Sequence, residues 1–258
     1  MLRAFLVSLS LLCAVPCAAQ TIRNLSLQVV FATYQENRAH WIDPVQAGPN
    51  KIDDANRFWH GAGASWGAIT LTGTTYPTWI DSSQSMATGC SLVQIWKDVT
   101  AALGQPGPNV VRVVVLPIGT PCNSVTWTWA STVFVVGGAN LIHELGHAMG
   151  LQHSHDWVCN VTCMMVEYGF GDVMGDGGIL INALERQQLG VYSPTFQLAS
   201  VTTSQDVTLQ VQNSMAPGIK GLTAVGAAGH TLTAEFHGYP SPPTVALHNW
   251  QEIGRAHV

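Results

Sequence analysis

Charge is what this sequence has least of. Only 10% of its 258 residues are Asp, Glu, Lys or Arg, against about 25% in an ordinary globular protein. Three are lysine and the formal net charge is −5, so no basic stripe exists to neutralise a phosphate backbone, which argues against nucleic acid as a partner. Long apolar runs are as scarce. One spans Phe5 to Ala19, and nothing after it reaches the ~20 apolar residues that cross a bilayer, so no integral membrane span is expected in the mature chain.

What is present at the N-terminus is a positive Met1-Leu2-Arg3, an apolar Ala4 to Val15, a break at Pro16 and the small residues Cys17-Ala18-Ala19. That order reads as a secretory signal peptide over residues 1–19, cut before Gln20. Cys13 and Cys17 leave with it, and the mature chain keeps Cys90, Cys122, Cys159 and Cys163. Four cysteines in an oxidising compartment predict two disulfides, with three connectivities open. The alternative for Cys159 and Cys163, zinc ligation, lacks partners at matching spacing. Residues 252–258, Glu252 to Val258, read as translated sequencing adapter, which implies that the native C-terminus is cut short; they are assigned no role, His257 included.

Along the mature chain, Leu25 to Ala32 and Trp66 to Thr72 alternate like strands, Asp53 to His60 predicts a short helix, and Val110 to Leu116 is a buried strand. Between them Leu92, Ile95, Trp96, Val99 and Leu103 recur at helical spacing from Ser91, and Gly104 with Pro106 ends that helix. One or two further strands fit Thr126 to Val136. After Pro194 the texture turns to Thr, Ser, Val and Gly, with strands expected at Val207 to Val211 and Thr231 to Phe236. The pattern predicts an α+β fold, a mixed sheet with helices packed on it, followed by a β-rich C-terminal module.

The segment that carries chemistry is His143-Glu-Leu-Gly-His-Ala-Met-Gly-Leu-Gln-His153, an H-E-x-x-H-x-x-G-x-x-H pattern. Chance would place those five residues at those offsets in about 3 of 10⁵ chains of this composition. On a helix, positions 143 and 147 lie about 40° apart around the axis, one above the other, so two imidazoles can meet one ion. Ile142, Leu145 and Met149 take another face, which can anchor the helix to the sheet. Glu144 lies too far round to bind the same ion and is placed to hold its water. Gly150 can supply the positive φ that turns the chain and brings back His153 as a third nitrogen ligand. Three neutral imidazoles and an open position are the coordination of one catalytic Zn²⁺, with Glu144 as general base and then acid. His155 reads as a loop histidine near the cleft, since a fourth imidazole would close the site. His40, His60, His230, His237 and His248 have no partner spacing and are assigned no role.

At these residues the sequence resembles the metzincin zinc endopeptidases. Tyr168-Gly-Phe-Gly-Asp-Val-Met-Gly175 follows the third histidine, and Met174 matches the methionine of the family's Met-turn, an apolar floor under the imidazoles. Within that family it is most similar to the gametolysin-like peptidases, which degrade extracellular-matrix or cell-wall glycoproteins. The likeness rests on Ser65 to Gly73, the region ending His153-Ser154, the Met174 segment, and Ile181 to Gly190, where Asn182 and Glu185 form a helix start and Gly190 a stop. It extends over roughly Leu25 to Tyr192. It implies a metzincin-type catalytic domain over 20–196, a mixed twisted sheet with an active-site helix and Met-turn, and a truncated β-rich module over 197–251. It implies too a protein or glycoprotein substrate bound as an added strand beside Thr126 to Trp129 or Thr132 to Val136. Trp127 and Trp129 alternate onto one face, read either as subsite or sugar-stacking residues or as aromatics packed on the sheet. Where some metzincins place a tyrosine ligand two residues after the methionine, this chain has Asp176, so a tyrosine switch is not expected. Few residues separate Gln20 from the first strand, so no propeptide is expected. The rival readings are a non-catalytic adhesion or glycan-binding protein on the same scaffold, and a zinc hydrolase of non-peptide bonds. Nothing in the sequence specifies calcium or an oligomeric state.

Overall fold

Strands that are apolar at consecutive positions need cover on both faces, and Val110 to Leu116 and Thr132 to Val136 have it. The computed structural model describes residues 23–36, 40–61, 64–65, 67–119, 121–122, 127–129, 131–154, 156–159, 163–166, 172–175, 180–191, 196–201, 218–225, 231–237 and 244–249. The expectations for residues 1–19, His155, Asp176, the strand at 207–211 and residues 252–258 lie outside them. In chain order the elements are β1 (Arg23–Thr33), α1 (Pro44–His60), β2 (Ile69–Thr75), β3 (Ile80–Asp81), α2 (Leu92–Leu103), β4 (Val110–Leu116), β5 (Trp127–Trp129), β6 (Thr132–Val136) and α3 (Leu141–Ala148). They continue with β7 (Asp156–Cys159), β8 (Cys163–Val166), α4 (Ala183–Leu189), β9 (Phe196–Val201), β10 (Gly218–Val225), β11 (Thr231–His237) and β12 (Thr244–Asn249).

The first sheet runs β2-β1-β4-β6-β5, with β3 on β1; β5 alone is antiparallel to its neighbour. Alternation along the strands sorts the core into two layers. Leu27, Val29, Phe31, Val113, Val115, Val133 and Val135 pack with Ala55 and Trp59 of α1 and Leu141 and Leu145 of α3. Val30, Ala32, Val114, Leu116, Phe134 and Val136 face the other way, onto Leu92, Ile95 and Val99 of α2. Arg112 of β4 is a buried charge; its Nε donates to Gln28 Oε1 (2.8 Å) and its Nη1 to the carbonyl of Gly104 at the end of α2 (2.9 Å). A cation there meets the negative end of the helix dipole.

Two expected boundaries move. The helix expected at Asp53 to His60 begins at Pro44, where Asp43 caps it by accepting from Val45 N (2.9 Å). Gly48-Pro49 reads as a breaker, yet Pro49 is exposed and Gly48 lies against Thr75 of β2, where a Cβ would collide with the threonine side chain. The glycine is there for close approach rather than for a turn. The strand expected from Trp66 starts at Ile69. Ser65 holds a turn in front of it, its hydroxyl donating to the Trp59 carbonyl and accepting from Ile69 N.

Cys90 and Cys122 form a disulfide with Cα atoms 4.9 Å apart. It ties the start of α2 to the loop that leads to β5. Cys159 and Cys163 are register partners across the β7–β8 hairpin. That hairpin belongs to a second sheet, β8-β7-β12-β11-β10-β9. The expected strand at Thr231 to Phe236 is β11, and the sharing of one sheet by β7–β8 and the C-terminal strands has no counterpart in the sequence reading, because strand partners are not a local property.

Candidate metal centre

The turn at 137–140 leads from β6 into α3, with Asn140 at φ 57°, a left-handed conformation that asparagine tolerates. Leu145 is buried, and Ile142 and Met149 pack at the edge of the same core, which leaves His143 and His147 on the free side. The helix ends in a Schellman turn: Gly150, at φ 96°, donates to the His147 carbonyl (2.9 Å), and Leu151 N to the Gly146 carbonyl (2.9 Å). The turn then does a second job. It presents the Leu151 carbonyl to His147 Nδ1 at 2.8 Å.

His143 Nδ1 stands likewise 2.7 Å from the carbonyl of Val173. A carbonyl only accepts, so each Nδ1 donates, and in the neutral ring that tautomer leaves the lone pair on Nε2. Those two nitrogens face each other at 3.1 Å. Tetrahedral zinc with bonds of about 2.0–2.1 Å sets its nitrogen ligands about 3.3 Å apart, so the spacing fits one shared ion. The His153 ring lies 5.1 Å from that of His143 and 4.7 Å from that of His147, and the ligand atoms of all three fall within 4.8 Å of one another. These three residues can hold a metal ion. Burial lowers the pKa of His147, and the neighbouring His143 acts in the same direction, against the Leu151 carbonyl and Glu144, so the imidazole is held in the neutral form that ligates.

Glu144 is not part of the ligand group. It is 3% exposed, and its Oε2 accepts from the Thr128 hydroxyl at 2.8 Å. Met174 is fully buried, with its thioether against the Cα of Gly146 and the Trp59 ring close by. Its carbonyl accepts from Ser154 N (3.0 Å), so the 172–175 turn touches both α3 and the segment carrying His153. A Cβ at Gly146 would collide with Met174 Sδ. Gly146→Ala is therefore expected to lower the stability of the metal-free chain by about 1–2 kcal/mol, overpacking outweighing the gain in helix propensity, as read by thermal unfolding.

Asp172 was given no role by sequence reasoning and organises this turn. Fully buried, it accepts from Met174 N (2.8 Å) through Oδ1 and from Asn182 Nδ2 (2.7 Å) through Oδ2. Asn182 in turn forms a capping box with Glu185 at the start of α4, and Gly190 closes that helix at φ 69°. The signal was available: an aspartate two residues before a turn amide is an Asx turn.

Of the two candidate substrate-side strands, β6 is paired on both sides and β5 is the edge among the described residues. Trp129 does not face the histidines. It lies 4.9 Å from Trp96 of α2 on the opposite side of the sheet, 46% exposed. His40 stacks on Trp79 and bonds Asp81, and His60 Nδ1 donates to the Ile69 carbonyl.

No protein-family model matches the chain, and no curated protein matches it in sequence. Among solved structures it is similar to metalloproteinase-II from Bacteroides fragilis, at 13% identity over 66% of this chain and 54% of that one, with a TM-score of 0.38. The chain spans about half the length of that protein. At this level the likeness carries no argument, and function is read from the side chains.

Proposed function

We propose that the chain is a secreted zinc-dependent endopeptidase of metzincin type, acting on extracellular proteins or glycoproteins. The observation that carries this is the pair of bare Nε2 atoms at 3.1 Å, joined by His153 and flanked by a buried carboxylate outside the ligand set. His143, His147 and His153 hold the ion, oriented by the carbonyls of Val173 and Leu151. Zinc, when bound, supplies Lewis acidity toward water and toward a peptide carbonyl. Glu144 takes the proton of the attacking water and delivers it to the leaving amine. A substrate segment aligns along the free edge of β5, bound through its main chain. Met174 is the apolar support of the Met-turn, resting on Gly146. Secretion is supported by the signal-like residues 1–19 and by the Cys90–Cys122 disulfide.

The test is hydrolysis of fluorescent casein or gelatin by the secreted chain, with and without a zinc chelator. Cleavage that the chelator abolishes and added zinc restores is the expected result. One bound zinc ion per chain with no cleavage of any protein contradicts the peptidase reading and turns attention to glycan binding.

A further inference from the structure

We propose that Thr128 is the positioning residue for Glu144, holding its carboxylate from the edge strand; the catalytic consequence rests on the zinc-peptidase reading. Thr128 pairs with Val133, a residue of the layer that packs against α3, whereas Trp129 goes to the α2 side. The pleat thus aims the Thr128 hydroxyl at the helix. It stands 2.8 Å from Glu144 Oε2 and 2.9 Å from the carbonyl of the same residue. Both contacts are side-on to α3, sixteen residues later in the chain.

The helix alone leaves the carboxylate free to turn, since a glutamate has three side-chain torsions. A threonine is stiff at χ1, so the strand backbone sets where its oxygen lies. At a site 3% exposed, little water competes with the Thr128 hydroxyl for the carboxyl oxygen. Among the described residues β5 is the sheet edge, so on the peptidase reading the strand that seats a substrate segment is also the strand that aims the base. Reacting groups lose rate steeply when misplaced by an ångström.

The experiment compares Thr128→Val, which keeps the shape and removes the hydroxyl, with Thr128→Ser, which keeps the hydroxyl; Thr128→Ala removes it without adding bulk should valine disturb the strand. Turnover of a fluorescent peptide is measured in the zinc-loaded chains. Loss of one such bond is expected to lower kcat about 10- to 100-fold in Val and Ala with KM within about twofold, and Ser is expected to restore kcat to within a few-fold. Zinc content stays at the wild-type value. In the zinc-free chains, the carboxyl ¹³C resonance of Glu144, assigned by its loss in Glu144→Ala, moves in Val and Ala and stays in place in Ser. Wild-type kcat in Val and Ala overturns the inference while leaving the peptidase intact. If the wild-type chain binds zinc and cleaves nothing, the peptidase reading fails. The carbon resonance then decides alone: unmoved in Val and Ala it overturns the hold of Thr128 on the carboxylate, and moved in both but not in Ser it supports it.

Discussion

Replacing Glu144 with Ala is expected to leave one zinc ion bound per chain and to lower peptide hydrolysis by about two to four orders of magnitude. The two effects separate because the carboxylate stands outside the group of three imidazoles. Truncation also strands no polar partner. The Thr128 hydroxyl has a single proton, and with the carboxylate gone it turns to the backbone carbonyl of residue 144, 2.9 Å away. A buried donor left with an acceptor avoids the penalty of an unmade bond, so the fold survives the change. Elemental analysis of the purified variant, beside its rate on casein, reads both quantities from one sample. Retained hydrolysis would remove Glu144 from the mechanism.

His147→Ala is expected to show the opposite signature, losing the metal with the activity. His147 supplies one of the two nitrogens that face each other at 3.1 Å, and the helix offers no substitute on that face. The expected loss of zinc affinity exceeds the about 10- to 100-fold that follows removal of an outer partner of a ligand. Thermal unfolding gives the check. An ion present at about 100 times its dissociation constant stabilises the native state by about 2.7 kcal/mol. The wild-type and Glu144→Ala chains are expected to gain that increment on addition of zinc, and His147→Ala is expected to show none of it. An equal zinc-dependent rise in His147→Ala would mean that the ion binds elsewhere.

How much of this was legible in the residues depends on how far apart the partners stand in the chain. The helix from Leu92 to Leu103 showed in its periodicity and in Ser91, whose hydroxyl accepts from Gln94 N. The capping box of Asn182 and Glu185 was likewise a local pattern. The first half of α1 did not show in the sequence; its Gly48 lies against Thr75, where a side chain at residue 48 would be, and that approach is a tertiary contact. Alternation alone did not say which face Trp129 takes; that depended on the register of β5 with β6.

The sequence by itself determined which residues gather at the site. An α-helix repeats every 3.6 residues, so the interval from His143 to His147 fixes their shared side, and a glycine at 150 permits the turn toward His153. Tertiary structure alone decided what holds those groups in place. The carbonyl of Val173 orients His143 from 30 residues away, the hydroxyl of Thr128 meets Glu144 from 16 residues before it, and Cys90 finds Cys122 across 32. Such contacts arise where strands and loops meet after the core has closed. Local periodicity reports the face a residue takes on its own element, and it holds no record of what will be packed against that face.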